Sequence, residues 1–356
     1  WANSRALTLA GITAQTPDPP GGRILRDATG AATGVLVDAA QALVRRQIPA
    51  PSREVRKRRL AAGLRAAAAA GLTSVHDAGV DAETVALYKE LLGEAPLPTR
   101  VYVMLRGPED FLARGPALKP EIGLGDGQLT IRSIKVVADG ALGSRGALLK
   151  APYADEPGTV GLRIVDRDSF ARLLERALAQ GFQVNTHAIG DGANQLVLDA
   201  YARAFGAQGG ATRRFRIEHA QVLAPADVPR FKALGVIPSM QPTHCTSDMY
   251  WAEERLGPER AKGAYLWQTF LKQGVPVAGG SDAPVEDIAV IPGLYAAITR
   301  QDAKGWPAGG WHPEERVSPL EALRMFSRDA AYAAFEEEER GTIAVGKRAD
   351  FTVLSA

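Results

Sequence analysis

Seven short apolar segments, beginning near residues 72, 100, 131, 183, 214, 236 and 276, are each separated from the next by sequence with helical character. Strands that alternate with helices pair in parallel, because each crossover helix returns the chain to the same edge of the sheet. The seventh segment runs Val275-Pro-Val-Ala-Gly-Gly-Ser-Asp282, and the fourth runs Gln183-Val-Asn-Thr-His187 after a helix that stops at Gly181. Two architectures satisfy this rhythm: an open doubly wound sheet, or a closed barrel of eight strands that lacks one. No phosphate-binding fingerprint supports the open sheet, since Gly123-Leu-Gly-Asp-Gly neither follows a strand nor opens a helix.

In either architecture, chemistry collects at the carboxyl ends of the strands. Three strand ends here carry metal-binding side chains: His187, then His219 in Arg214-Phe-Arg-Ile-Glu-His-Ala, then Asp282. A lone histidine at such a position is more often structural than a ligand. Two imidazoles and a carboxylate on three strands of one sheet fit a zinc-type site. Lys135 interrupts Ile131-Arg-Ser-Ile-Lys-Val-Val-Ala-Asp139 where an aliphatic residue would be expected. It reads either as a buried ion-pair partner of Asp139 or Asp282, or as a lysine whose desolvated neutral amine takes up carbon dioxide to form an anionic ligand.

Other positions carry weaker signals. His76 and Asp77 end the first strand, with Asp77 equally suited to capping. Asp139 and Arg145 begin a long glycine-containing loop over the mouth, where Arg145 could meet a substrate carboxylate, although a surface ion pair is the commoner fate. His244 follows Gln241-Pro and is a candidate substrate contact, while His312 reads as surface loop.

The ends of the chain differ from its middle. Residues 1–51, rich in Gly, Pro and Thr, read as irregular surface apart from a short helix near Ser4 to Ala10. Ser318-Pro-Leu-Glu321 is a capping box that opens a helix through about Phe335. Gly341 to Leu354 reads as two short strands around a tight turn. Its Gly341 to Lys347 portion imitates a phosphate-binding loop but lacks the Ser/Thr and the following helix.

Composition excludes several classes of function. At 356 residues, 46% apolar, 23% charged and a net charge of +2, the chain is of ordinary globular type, and nothing electrostatic points to nucleic acid or a membrane surface. A single cysteine, Cys245, excludes an internal disulfide framework. No apolar run reaches the roughly 18 residues that span a bilayer. The chain opens Trp1-Ala-Asn-Ser with no signal-like segment, but without an initiator methionine its start does not fix a compartment; a cytoplasmic location is favoured, a small-molecule substrate is expected, and oligomeric state is not legible.

Taken together, Ile-Lys135-Val-Val-Ala-Asp-Gly-Ala-Leu-Gly-Ser-Arg, Asn-Thr-His187-Ala-Ile-Gly-Asp, Arg-Ile-Glu-His219-Ala-Gln, Gln-Pro-Thr-His244, Gly-Ser-Asp282-Ala-Pro-Val-Glu and Gly-Lys-Arg-Ala-Asp-Phe resemble the amidohydrolase superfamily, in the branch of N-substituted formamide deformylase. The resemblance runs the whole length of the chain. It implies a TIM-like (β/α)8 barrel and a small β-sandwich assembled from both chain ends. The first barrel strand and its His-x-His motif are not in this sequence, so the chain is expected to be a fragment. Residues 1–335 would be the barrel with strands two to eight, and 336–356 the remnant of the sandwich. The resemblance also implies one or two divalent metals, zinc by donor type, on carboxylated Lys135, His187, His219 and Asp282, with Asp282 as the proton-transfer residue. The expected reaction is hydrolysis of a carbon–nitrogen bond in an amide or formamide-like molecule. Ester or lactone hydrolysis on the same site, or a truncated non-catalytic remnant, are the alternatives.

Overall fold

The computed structural model describes residues 1–354. Its centre is one sheet in which seven strands run parallel: β3 (Ser74–Val80), β4 (Arg100–Arg106), β6 (Leu129–Val137), β7 (Gln183–Ala188), β8 (Arg216–His219), β9 (Ile237–Met240) and β10 (Ala278–Gly279), side by side in that order. A three-residue strand, β5 (Glu121–Gly123), pairs antiparallel with β6. Each of the seven expected segments therefore forms a strand. The unbroken apolar run Val101-Tyr-Val-Met-Leu105 is buried on both faces, as parallel strands flanked by helices must be.

Helices begin and end where local chemistry dictates. The Ser52 hydroxyl accepts the Val55 N–H at 3.3 Å and opens helix Arg53–Ala69, and Asp81 and Asp166 cap Ala82–Glu94 and Arg167–Gln180 in the same way. The last of these stops at Gly181, whose φ of 81° is the left-handed turn expected of a helix C-terminus. Its Phe170, Leu173, Leu174 and Ala177 are buried on one face. No helix is long and apolar enough to cross a membrane among the described residues.

The structure departs from expectation in three places. First, residues 1–51 are not merely irregular: β1 (Gly22–Arg26) and β2 (Ala32–Asp38) form an antiparallel hairpin with its own small core of Ile12, Ile24, Leu36 and Ala40. Its turn is built by the Asp27 carboxylate, which accepts the N–H groups of Thr29 and Ala31 at 2.9 and 3.1 Å. Second, the helix opened by the Ser318 capping box is interrupted by a π-turn over Met325–Asp329 and resumes as Ala330–Ala333. Third, the two strands expected after Gly341 are not formed. Among the described residues no strand is assigned to this segment, and Ile343, Val345 and Val353 stand 88%, 107% and 93% exposed. It is held by one main-chain bond, Arg348 N–H to the Glu339 carbonyl at 2.8 Å, and by side chains, with Arg100 Nε on Asp350 at 2.6 Å and the Thr352 hydroxyl donating to the Gly71 carbonyl at 2.6 Å.

The sheet curls without closing. Among the described residues β3 pairs only with β4 and β10 only with β9, so the two edges do not meet. The parallel register aligns the carboxyl ends of β7 to β10 along one rim, with Val137 opposite His187 and Ala188 opposite His219.

Candidate functional site

Along that rim the chain turns sharply. His219 and Ala220 have φ of 75° and 42°, and Asp282 has φ of 57°, a region non-glycine residues adopt only when their surroundings enforce it. Strain of this kind gathers where side chains are being aimed. One donor atom each from His219, His244 and Asp282 lies within 4.8 Å of the others. His244 comes from the helix Pro242–Asp248 that follows β9, and its ring stacks on that of His219 at 5.8 Å between centroids. Its Nε2 is 4.0 Å from Asp282 Oδ2. His187 stands beside this group, its ring edge-on to His219 at 4.6 Å.

The nitrogens face an unsatisfied space. The Nε2 atoms of His187 and His244 are buried and make no hydrogen bond, the nearest carboxylate oxygens being Asp139 Oδ1 at 3.4 Å and Asp282 Oδ2 at 4.0 Å. Buried polar atoms in native proteins are nearly always paired, so two orphaned imidazole nitrogens beside a carboxylate mark a position for an electrophile. Two nitrogens and an oxygen are donors typical of zinc, and the residues present fit a divalent cation. Burial, reinforced by His187, Lys135 and His244 nearby, holds the His219 imidazole well below its usual pKa and so neutral, the form a metal requires. Burial also lowers His244, against the opposing pull of Asp282. The Asp282 carboxyl is raised by desolvation.

Beneath this rim the sheet carries a charged network. Arg216, 1% exposed, donates from Nε to Glu218 Oε1 at 2.7 Å and contacts His76 Nδ1 through Nη1 at 2.9 Å. Burial and the adjacent guanidinium push the His76 pKa down to about 3, so His76 is a neutral acceptor. Burial alone would raise the Glu218 carboxyl, but Arg216 and Lys135 hold it below its usual value. Lys135 is itself lowered by desolvation, against the pull of Glu218 and Asp282. The field of Glu218 therefore acts on Lys135 as well as that of Asp282, an influence the sequence did not suggest.

Two of the candidate substrate contacts have structural work to do. Asp139 is fully buried, and its carboxylate accepts the N–H groups of Leu148, Ile189 and Gly190 at 2.8, 3.0 and 2.8 Å. It binds the long loop to the end of β7. Gly190 completes that junction, because a Cβ there would lie 2.0 Å from the Leu148 carbonyl oxygen. Arg145 forms ion pairs with Asp155 at 2.7 Å and Glu156 at 3.2 Å, the commoner fate, instead of presenting its guanidinium to a substrate. Asp77 accepts the Tyr88 hydroxyl at 2.6 Å, and His312 stands between Glu253 and Glu314.

Sequence reasoning missed Arg216, Glu218, Gln241 and Asp38. The first two were visible as charges at alternate positions of an apolar strand. Gln241 holds His219 Nδ1 at 2.7 Å. Asp38 closes the unforeseen hairpin with φ of 46° and a buried, unpaired Oδ2; desolvation, then Asp139, raises its pKa.

The chain is similar to known proteins. YtcJ of Bacillus subtilis (strain 168) is 34% identical over 99% of this chain and 66% of its own length. The N-substituted formamide deformylase of Arthrobacter pascens is 29% identical over 99% of this chain and 66% of its own. The chain thus spans just under two thirds of these curated relatives. A crystal structure of an uncharacterized metal-dependent hydrolase from Pyrococcus furiosus superposes with a TM-score of 0.78 at 29% identity, covering 98% of this chain and 68% of that one. The sequence model of the Amidohydrolase family matches residues 1–356, and the chain belongs to that family.

Proposed function

We propose that this chain carries metal-binding residues of a metal-dependent hydrolase that cleaves the carbon–nitrogen bond of an amide or formamide-like small molecule. The observation that carries the reading is the convergence of His219, His244 and Asp282 within 4.8 Å, beside the orphaned Nε2 of His187. These four side chains would hold a divalent cation, zinc by donor type. Lys135, carboxylated on its desolvated amine, would add an anionic oxygen and room for a second ion. His244 joins the ligand set here, where the sequence suggested only a substrate contact.

A divalent ion so held would polarise a carbonyl and acidify a water. The chain's own residues do the rest. Asp282, with 39% of its side chain open to solvent, can take the proton that water loses and deliver it to the leaving nitrogen. Its raised pKa suits a group that must hold a proton and then release it. Arg216, Glu218 and His76 keep the floor of the site polar and fixed. The seven parallel strands would be seven staves of an eight-stave barrel over residues 1–335, with 336–356 as part of a second, smaller domain.

A panel of N-substituted formamides, simple amides, esters and lactones, assayed on the full-length protein before and after chelation, tests the reading. Formamide or amide hydrolysis that disappears with the metal and returns with zinc is expected. Turnover confined to esters or lactones would overturn the bond assignment, and turnover indifferent to chelation would overturn the metal.

A further inference from the structure

We infer that Gln241 is a positioning residue that fixes the tautomer of His219 and so makes its Nε2 the free nitrogen of the site. The inference rests on the metal-binding reading for its purpose, but its geometry stands independently. Gln241 follows β9 directly, is 7% exposed, and sits in extended backbone (φ −118°, ψ 101°) immediately before Pro242. Its Oε1 lies 2.7 Å from His219 Nδ1, a contact buried from solvent.

A carboxamide could present either its oxygen or its nitrogen to an imidazole, and the two choices have opposite consequences. Here the other end decides, because Gln241 Nε2 donates to the Ser239 carbonyl at 3.3 Å. The oxygen must then face His219, and an oxygen can only accept. Nδ1 therefore carries the hydrogen. A neutral imidazole has one N–H, so Nε2 is left with a free lone pair. Placing a hydrogen-bond acceptor behind a ligating imidazole orients the ring and raises its basicity.

The same residue reaches the second imidazole through its main chain, since the Gln241 carbonyl accepts the His244 N–H at 3.1 Å. Gly280 N–H in turn donates to the Met240 carbonyl at 3.1 Å, which ties the Asp282 turn to the same strand end. Gln241 thus holds two of the candidate donors, His219 through its side chain and His244 through its main chain, while its neighbour Met240 anchors the turn that leads to Asp282. A carboxamide does this without adding charge next to His219, where a carboxylate would.

Two measurements on the full-length protein test the assignment. Long-range proton–nitrogen NMR of the metal-free protein, with His219 assigned by comparison with His219→Ala, is expected to show Nδ1–H and a bare Nε2 in the wild type. An Nε2–H tautomer there overturns the inference whatever the variants do. Zinc affinity, read by competition with a chromophoric chelator, is expected to fall about 10–100-fold in Gln241→Met, which keeps the bulk and loses the acceptor. In Gln241→Glu, which keeps the acceptor, affinity is expected to stay within a few-fold of wild type. Equal affinity in Gln241→Met and wild type, or equal loss in both variants, overturns it. Wild-type protein with the Nδ1–H tautomer and no zinc affinity would instead count against the proposed function alone.

Discussion

Asp139 Oδ1 lies 3.4 Å from His187 Nε2 while the same carboxylate accepts three backbone N–H groups from two separate stretches of chain. One buried side chain therefore fixes both the loop that follows β6 and the strand end that presents His187. Removing it would leave three N–H groups without an acceptor in a fully buried position. Asp139→Ala is expected to lower stability by about 3 kcal/mol or more. Limited proteolysis should then cut within residues 140–165 sooner than in the wild type. Unchanged stability and cleavage would show that water can replace the carboxylate.

Arg216 offers a second test, because it is nearly inaccessible and meets Glu218, His76 and Met104 Sδ at once. Truncating one member of a buried ion pair strands the other. Arg216→Met should cost about 3–5 kcal/mol, measured by urea unfolding, and Arg216→Met with Glu218→Gln should recover part of it. A double variant no better than the single one would show that the pair is not the source of the loss.

The Asp248 carboxyl, which accepts from Gln221 Nε2 at 2.9 Å and from the Tyr265 hydroxyl, is raised by burial from 3.8 to about 6. In the unfolded chain it loses its proton near the ordinary value; in the folded protein it holds it longer. Between these values the unfolded state binds fewer protons, so stability falls as pH rises through about 4 to 6 and this contribution is level above that. The effect is at most about 3 kcal/mol. Asp248→Asn should flatten that segment of a plot of unfolding midpoint against pH. A midpoint that climbs from pH 4 to 6 and is equally steep in the variant would contradict the assignment.

How far the sequence revealed this arrangement depends on the range of the forces involved. His187, His219 and Asp282 were legible because strand ends follow from local periodicity, and parallel strands bring their ends to one rim. Ser318 and Glu321 were legible because a capping box is complete within four residues. Gln241 was not, because nothing near it in the chain says that its amide reaches the ring of His219 on the neighbouring strand. His244 was underrated for a similar reason: its place beside Asp282 depends on how the helix after β9 is tilted. The hairpin that carries Asp38 hid in a Gly- and Thr-rich stretch whose alternation is only a few residues long. The exposed Ile343, Val345 and Val353 do have strand-like alternation, but alternation forms a strand only where a partner edge is present.

Replacing Lys135 separates its two readings. Lys135→Ala is expected to lose metal, and a short carboxylic acid supplied in solution should restore part of it by standing in for the carbamate. Metal content that is unchanged in the variant would leave Lys135 as a buried cation that offsets the charge of Glu218 and nothing more.

The carboxylate of Asp282 should separate binding from turnover. Asp282→Asn keeps an oxygen donor but cannot accept a proton, so turnover should fall about 100-fold or more while metal content falls far less. Near-normal turnover would show that Asp282 has no part in proton transfer.

The most direct test of the account is the metal content of the full-length protein, measured by elemental analysis after dialysis, in the wild type and in His219→Ala, His244→Ala and His187→Ala. The wild type is expected to retain at least one divalent ion per chain. Each of His219→Ala and His244→Ala should lose most of it while remaining folded by circular dichroism, with His187→Ala losing less. A wild type that retains none, or histidine variants that all retain as much as the wild type, would contradict the claim that this rim is a metal site.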